Sequence, residues 1–219
     1  GCIFPVYKRV PTTIRTCRTE RMRMASNLRY WSDLYEACKY EARCIDIETA
    51  GINKPITLIG IYTPKEGPIE ALQLIRGKDL EAENIKAALA GCKLIITFNG
   101  IKHDIPYIQQ EFGDVIPDVP HLDLHRFKLN LGANVDLKTV EKHFEIPRPE
   151  GSDKRGIAVR LWRRYERYGD EQALQRLLEY NRQDAVNLFP LAEHLVAMFR
   201  KNDIFSARKI RDLIEHLYD

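Results

Sequence analysis

Short apolar runs of strand length occupy the first part of the chain, and apolar residues at helical spacing dominate the last third. The runs are "ARCIDIE", "PITLIGIYT", "GPIEALQLI", "KLIITFNG" and a shorter one, "PHLDLHR". The second and third are separated by "PKEG", a turn composition that predicts a hairpin and therefore antiparallel pairing. This order predicts an α/β fold with a mixed central sheet, in which three antiparallel strands come first and parallel strands follow.

Helices are predicted between and after these strands. One helix, "RYWSDLYEACKY", precedes the first strand, and another, "IPYIQQEFG", follows the fourth. A third, "DLEAENIKAALAG", is predicted to end at Gly91, because a glycine commonly ends a helix. From about residue 136 the chain turns helical, and the segments are "DLKTVEKHF", "GIAVRLWRRYERY", "DEQALQRLLEYNRQDAVNLFPLAEHLVAMFRK" and "FSARKIRDLIEHLY". A loop is predicted from Pro147 to Lys154. The sheet is therefore flanked by helices and followed by a helical C-terminus.

Length and cysteine content limit the class of protein. With 219 residues and 44% hydrophobic content the chain can bury one sizeable core. Its longest apolar runs fall well below the roughly 20 residues needed to cross a bilayer, so no membrane span is predicted. Five cysteines at irregular spacing, without a C-x-x-C pair, fit neither a disulfide framework nor a zinc site. We therefore expect free thiols and a cytoplasmic protein.

Charge divides the chain into two predicted parts. Residues 1–40 carry eight Lys and Arg against three Asp and Glu, which is +5, and this leaves −2 for the rest of a chain of net charge +3. We expect a basic N-terminal extension with a helix over residues 1–40 and one catalytic domain over residues 41–219. Met22 or Met24 could be the natural start.

A second basic patch, residues 142–168, has Trp162, Tyr165 and Tyr168 among its cations. Cations interleaved with aromatic rings suit a phosphate backbone with stacked bases. The alternative is an amphipathic helix whose aromatic side chains face the core and whose charged face is solvated.

Carboxylates stand where structure alone does not require them. Asp46 and Glu48 lie two residues apart at the end of the first strand, so both side chains point to one face. Asp104 follows the fourth strand. Asp184 lies within a long helix among apolar neighbours, and Tyr180, four residues earlier, shares its face.

Four acids that converge in a water-poor site repel one another unless a cation lies between them. Mg²⁺ and Mn²⁺ prefer carboxylate oxygens, and two such ions about 3.5 to 4 Å apart can hold the attacking and leaving oxygens of a phosphodiester displacement. The pattern therefore predicts a divalent-metal site, with separate surface carboxylates as the alternative.

The same residues carry a family resemblance. Three segments in order resemble the three exonuclease motifs of the DEDD superfamily of ribonuclease H-like proofreading exonucleases. They are "DIET", "FNG" with Asp104 five residues after Asn99, and "YNRQD". Tyr-x-x-x-Asp matches the tyrosine subtype, since the histidine subtype has His where this chain has Glu179. "LDLHR", "DLKTVEKHF", "LW" and "YNRQDAVNL" resemble, more narrowly, the YprB-like exonucleases. The resemblance extends over about residues 42–200.

The resemblance implies a ribonuclease H-like fold and a 3′–5′ exonuclease. Asp46, Glu48, Asp104 and Asp184 would hold two Mg²⁺ or Mn²⁺ ions, and Tyr180 would orient the attacking water. Because an unperturbed phenol loses its proton only near pH 10, Tyr180 is not expected to act as a free base. His103 departs from the family pattern, in which an aromatic residue often precedes the acid.

Two further sets of residues are candidates for the site. The expected substrate contacts, most of them phosphate contacts, are Thr49, Asn99, Lys102, His103, Lys138, Arg148, Lys154 and Arg155. His121, Asp123 and His125 alternate, so one strand face could present a second metal site. The favoured alternative is that Asp123 holds a turn near the site, because magnesium sites rarely include imidazole.

Three functions are consistent with this reading. The first is a metal-dependent exonuclease that shortens single-stranded DNA from its 3′ end, with a role in DNA repair. The second is a nuclease for RNA or for branched or duplex DNA, since sugar selection depends on contacts around the 2′ position. The third is an inactive nucleic-acid-binding module. A homo-oligomeric ring such as a trimer would keep a strand captive, an expectation that comes from function and not from residues.

Overall fold

The computed structural model describes residues 27–64, 70–127, 135–148 and 156–201. The strands are β1 (Ala42–Thr49), β2 (Ile56–Tyr62), β3 (Ala71–Ile75), β4 (Leu94–Thr97) and β5 (His121–Asp123). The α-helices in these ranges are α1 (Asn27–Cys38), α2 (Ala82–Ala88), α3 (Asp104–Phe112), α4 (Leu137–His143), α5 (Ile157–Tyr168) and α6 (Glu171–Lys201). Short 3₁₀ helices cover Lys39–Glu41 and Leu124–Phe127.

Several sequence predictions fall outside the described residues. They concern the basic segment 1–26 with its two candidate start methionines, most of the "PKEG" turn, most of the loop that was predicted to end at Lys154, and the last helix, "FSARKIRDLIEHLY". These stay predictions.

The five strands form one mixed sheet in the order β3-β2-β1-β4-β5. β1, β2 and β3 pair antiparallel, whereas β4 is parallel to β1 and β5 is parallel to β4. The predicted mixed sheet, with its antiparallel strands first, is confirmed. Because β1, β4 and β5 run in the same direction, their carboxyl ends lie at one edge of the sheet, and residues just after these ends are neighbours.

Helices cover both faces of the sheet. Along β1, Cys44 belongs to the apolar layer that contains Leu191 of α6 and residues of α1 and α4. Ile45, the next residue, belongs to the opposite layer with Ile85 of α2 and Ile108 of α3. Successive side chains of a strand point to opposite faces, so an apolar run such as β1 can serve both layers. α6 therefore packs over the same face that Cys44 occupies.

α1 packs into the core although it lies within the predicted N-terminal extension. The Tyr35 side chain is fully buried, and its hydroxyl donates a 2.8 Å hydrogen bond to Glu193 of α6. Lys39 pairs with the same carboxylate at 3.1 Å. α1 therefore packs with the rest of the folded domain.

α5 is an amphipathic helix, and its three aromatic residues differ in exposure. Trp162 is 3% exposed and packs with Leu161, Leu58 and other apolar side chains. Tyr165 is partly buried against the same cluster, and Tyr168 is 71% exposed. The interpretation in which Trp162 faces the core is confirmed, and its ring is not available to stack on a base.

Predictions about thiols and membranes can be checked in the described ranges. Cys38, Cys44 and Cys92 are buried free thiols, as expected, while Cys2 and Cys17 lie outside these ranges. No helix in the ranges that the structure describes combines the length and the apolar character that a bilayer crossing requires.

Candidate active site

The carboxyl end of β1 presents two carboxylates on the face covered by α6. Asp46 and Glu48 follow Cys44 at intervals of two residues, so the apolar face of the strand continues as an acidic one. The pairing of β1 with β2 is interrupted between Glu48 and Thr49 by a register shift of the β-bulge kind, a device common beside active sites. β1 thus ends at the point where its side chains leave the core.

α6 adds a third carboxylate and a phenol. One oxygen each of Asp46, Glu48 and Asp184 can be chosen so that all three lie within 4.8 Å of one another. Tyr180 lies one helical turn before Asp184, close enough for its hydroxyl to lower the pKa of the Asp184 carboxyl. Strand and helix therefore bring together three acids and a hydroxyl group that are far apart in the sequence.

Asp104 lies at the border of this acidic group, at the first residue of α3. Its side chain is buried and its Oδ1 accepts a 3.2 Å hydrogen bond from the backbone N–H of Ile47. β4 pairs with β1 only as far as Cys44, so Asp104 supplies an acceptor where the ladder has ended. Asp104 does not belong to the group within 4.8 Å, yet its charge acts on both Asp46 and Glu48.

Burial raises the pKa values of all four acids, and repulsion by neighbouring carboxylates adds to the rise for Asp46, Glu48 and Asp104. The pKa of Asp46 is raised by burial first and then by Asp184, Glu48 and Asp104. Glu48 has its pKa raised by burial and by the charges of Asp184 and Asp104. The pKa of Asp104 rises to about 7, mainly through burial. The four acids therefore carry more negative charge than the neighbouring cationic side chains neutralise. Such an excess of negative charge favours the binding of a cation.

Two cationic side chains adjoin the acids. Arg148 is 9% exposed, binds both carboxylate oxygens of Glu141, at 2.9 Å for Nη2, and also binds Asp184. It opposes the rise in the pKa of Asp184 that burial causes. The Nζ of Lys138 lies 4.6 Å from the centroid of the Tyr180 ring, and its charge lowers the pKa of Glu48 and Asp184.

The acidic group fits a hard divalent ion. Two oxygens that bind one Mg²⁺ at roughly 2.1 Å lie at most about 4.2 Å apart. The 4.8 Å limit on the three carboxylate oxygens exceeds this value by only a few tenths of an ångström. An ion would also remove the repulsion that raises the pKa values of Asp46 and Glu48. The residues present therefore suit Mg²⁺ or Mn²⁺ in charge, chemistry and spacing.

The structure places the remaining sequence candidates around this group. Thr49 lies at the end of β1, where its hydroxyl donates to the carbonyl of Gly51 at 3.1 Å. Asn99 adopts a left-handed conformation, φ 63°, in the turn after β4, a conformation that Asn tolerates better than most residues. Lys102 and His103 are exposed just before α3. Lys154 and Arg155 lie outside the described residues.

Asp123 holds the turn after β4, and the second metal site does not form. Its carboxylate accepts hydrogen bonds from the backbone N–H groups of Asn99 at 2.7 Å, Ile101 at 3.1 Å and His125 at 3.1 Å. Among the described residues, His121, Asp123 and His125 do not make up a metal-ligand group. The prediction that Asp123 stabilises a turn near the site is confirmed.

Sequence reasoning missed two polar side chains that support the acids. Asn181 is fully buried and donates to the Asp46 carboxylate, and Glu141, 1% exposed, binds Arg148. A weak signal was present for Asn181, which is three residues before Asp184 and so lies on nearly the same helical face. For Glu141 the sequence gives no signal, because its partner Arg148 is brought to it by a loop.

Comparison with known proteins identifies the family. The RNase_H superfamily matches residues 43–196, a range that contains all four acids and Tyr180. A crystal structure of the EXD2 exonuclease domain soaked in Mg and GMP matches 86% of this chain and 93% of that chain, with 16% sequence identity and a TM-score of 0.30. No curated protein matches the chain. With its mixed five-stranded sheet, flanking helices and matched range, the chain belongs to the RNase_H superfamily.

Proposed function

We propose that the protein is a divalent-metal-dependent 3′–5′ exonuclease of the DEDD type, tyrosine subtype and YprB-like, that hydrolyses phosphodiester bonds at the 3′ end of single-stranded DNA. One observation carries the proposal. Carboxylate oxygens of the partly buried Asp46 and Glu48 and of the buried Asp184 converge within 4.8 Å of one another, beside Tyr180. A binding surface for a polyanion has no use for buried negative charge, whereas metal-assisted hydrolysis requires it.

Two Mg²⁺ or Mn²⁺ ions would be held by Asp46, Glu48, Asp104 and Asp184. When bound, such ions stabilise the charge on the attacking and leaving oxygens of a displacement at phosphorus. The position of Asp104 at the border of the acidic group supports a second ion beside the first, because its carboxylate approaches the group from α3. The acids also exclude a polyanionic strand until the cations are present.

Tyr180 would position the attacking water and would not remove its proton. Burial, followed by the charges of Asp184, Glu48 and Asp46, raises the pKa of Tyr180 above its ordinary value. The phenol therefore stays protonated at neutral pH and can hydrogen-bond with a water molecule or a phosphate oxygen. Packing against the cluster that contains Trp162, together with Lys138 over its ring, holds the Tyr180 side chain in place.

A basic surface on α5 supports a nucleic-acid substrate. Arg160, Arg163, Arg164 and Arg167 are exposed, and their spacing of three, one and three residues places them on one face of the helix. A guanidinium nitrogen of Arg163 lies 3.9 Å from the point where a Cβ at Gly51 would stand, in the turn that follows Glu48. The surface therefore adjoins the acidic group, and a phosphate backbone that lies along it would lead into the site.

Polar groups near the acids are the proposed contacts for the terminal nucleotide. They are Thr49, Asn99, Lys102, His103 and Lys138, with Lys154 and Arg155 beyond the described residues. Arg148 would contact a phosphate only by exchanging one of its carboxylate partners for it, since its guanidinium binds Glu141 and Asp184. We therefore assign Arg148 first to holding Asp184.

A single-stranded 3′ end is the preferred substrate because a splayed end must reach carboxylates that are themselves largely buried. A ribonuclease would use the same acids and differ in contacts around the 2′ position of the sugar, and a nuclease for branched or duplex DNA would use the same acids with a different surface around them. An inactive binding module is disfavoured by the presence of all four acids and Tyr180. Residues 1–40 as an extension, a closed ring and a role in DNA repair stay predictions.

The proposal is tested with end-labelled oligonucleotides. Single-stranded and duplex DNA and RNA, labelled at the 5′ end, are incubated with the protein in Mg²⁺, in Mn²⁺ and in chelator, beside the Asp46→Asn variant. We expect single-stranded DNA to give a ladder shortened from the 3′ end with either metal, and no products in chelator or with the variant. Internal cuts or an RNA-only ladder would indicate the second function, and tight binding without products would indicate the third.

A further inference from the structure

A buried amide connects α6 to the first carboxylate of β1. Asn181 lies between Tyr180 and Asp184 in α6, and its side chain is fully buried. Its Nδ2 donates to the Asp46 carboxylate at 2.9 Å and also to the Asp46 carbonyl at 3.2 Å. The helix that supplies Asp184 therefore also holds Asp46.

The orientation of this amide is fixed by a chain of hydrogen bonds that begins at the backbone. Gln73 of β3 donates through Nε2 to the carbonyl of Leu178 at 2.8 Å, and a carbonyl can only accept. The same Nε2 donates to Asn181 Oδ1 at 3.0 Å. Since Oδ1 must face Gln73, Nδ2 must face Asp46. The donor directed at Asp46 is thus set by β3, two strands away.

Gly60 provides the space for the amide. Gly60 lies opposite Asp46 in the register of β1 and β2. A Cβ at position 60 would stand 2.3 Å from Asn181 Oδ1 and 2.9 Å from its Cγ, distances that atoms do not tolerate. Any other residue at this position must therefore displace the Asn181 side chain.

A neutral donor suits Asp46 better than a cation does. Asp46 stands among three other acids, so its side chain would rotate away from them unless something held it. A hydrogen bond from the Asn181 amide restrains one oxygen of Asp46 without adding a positive charge that would compete with a metal ion. Because a carboxylate has roughly four acceptor positions, an ion can still bind to Asp46. Groups that hold a metal ligand in this way often govern metal affinity as strongly as the ligands do.

We propose that Asn181 is a positioning residue for Asp46, with Gln73 and Gly60 as the residues that place its amide. Asn181 keeps the Asp46 carboxylate turned toward Glu48 and Asp184 in the orientation that receives a divalent ion. The inference rests on the metal-dependent site of the proposed function, but it concerns ion binding and not the substrate.

The test measures Mn²⁺ binding by the whole chain from the electron paramagnetic resonance signal of the free ion. Asn181→Ala should weaken Mn²⁺ binding by about 10- to 100-fold. The control is Leu188→Ala, which removes a 1% exposed side chain of the same helix that belongs to the apolar layer, and it should leave the affinity unchanged. Nuclease activity of Asn181→Ala should recover as the Mn²⁺ concentration is raised, because the defect lies in ion affinity.

Gly60→Ala provides a second test through a double-mutant cycle. In the wild-type background it should destabilise the fold and weaken Mn²⁺ binding, since its Cβ displaces the amide. In the Asn181→Ala background the same change should destabilise the fold much less, because the colliding atoms are gone. Equal destabilisation in both backgrounds would contradict the assigned contact.

The outcomes separate this inference from the proposed function. Wild-type Mn²⁺ affinity in a folded Asn181→Ala variant would overturn the positioning role. A wild-type chain that binds no Mn²⁺ would overturn both ideas. If Asn181→Ala weakens Mn²⁺ binding but the wild-type protein cuts no nucleic acid, the positioning role is supported and the proposed nuclease activity is overturned.

Discussion

Replacing Glu48 with Gln should make the metal-free protein more stable, because the side chain repels Asp46 and Asp184. Two unit charges at the 4.8 Å limit of the group repel by 332/(20 × 4.8), or about 3.5 kcal/mol, at an effective dielectric constant of 20. Attraction by Lys138 and partial protonation of the acids reduce this energy. We expect the free energy of unfolding to rise by about 1 to 3 kcal/mol, or roughly 2 to 4 °C per kcal/mol in the melting temperature.

The gain should depend on pH with a definite sign. The folded state raises the pKa of Glu48 well above its ordinary value of 4.5, so folding favours the protonated form. The contribution of Glu48 to the stability of the wild type is therefore largest below the ordinary pKa and is lost as the pH rises through the raised pKa. At pH 5 the variant and the wild type should differ little, and at pH 8 the variant should be the more stable.

Thermal and urea unfolding in chelator at pH 5 and pH 8 measure this effect. Glu179→Gln on α6 is the matched control, since Glu179 is exposed, pairs with Arg182 and should lose a little stability or none. Added Mg²⁺ should reverse the order, because the ion stabilises the wild type by binding its folded state and binds the variant less tightly. A Glu48→Gln variant that is less stable than the wild type at pH 8 in chelator, or equal stabilisation of both proteins by Mg²⁺, would refute the repulsion assigned to Glu48.

Three further predictions concern the groups around the acids. Tyr180→Phe should lower the rate of cleavage of a 5′-labelled oligonucleotide by up to about 10²-fold, because it removes a positioning contact. Asp184→Ala should lower this rate more, because it removes an ion ligand. A complete loss of cleavage by the Tyr180→Phe variant, with Mn²⁺ binding intact, would contradict this difference. Arg148→Met should reduce the free energy of unfolding by about 3 to 5 kcal/mol in urea by leaving Glu141 buried without its cation, and a second change, Glu141→Gln, should restore most of it; no recovery in the double variant would contradict the pairing. Arg163→Ser should weaken binding of single-stranded DNA and reduce the slope of log affinity against log salt by about 0.7, measured by fluorescence anisotropy, and an unchanged slope would exclude Arg163 from the interface.

Local periodicity was sufficient to predict the main parts of the site. A period of two in β1 placed Asp46 and Glu48 on one face, and a period of about four in α6 placed Tyr180 beside Asp184. The hairpin order predicted the mixed sheet, and parallel pairing of β1 with β4 then explains why Asp104 lies near Asp46.

What the sequence could not predict depends on contacts between distant segments. Arg148 was expected to contact phosphate, but its guanidinium binds Glu141 and Asp184, which only the packing of α4 against α6 brings together. The role of Asn181 depends on Gln73 of β3 and on the absence of a side chain at Gly60. Spacing along one element carries no information about such partners.

The most direct test is a crystal structure of the protein with Mn²⁺, in which anomalous scattering locates the ions without reference to activity. We expect two anomalous peaks about 3.5 to 4 Å apart. One should lie among the oxygens of Asp46, Glu48 and Asp184, and the other should lie toward Asp104. Well-ordered carboxylates with no Mn²⁺ between them, in crystals grown with an excess of the ion, would contradict a metal-binding role for these acids.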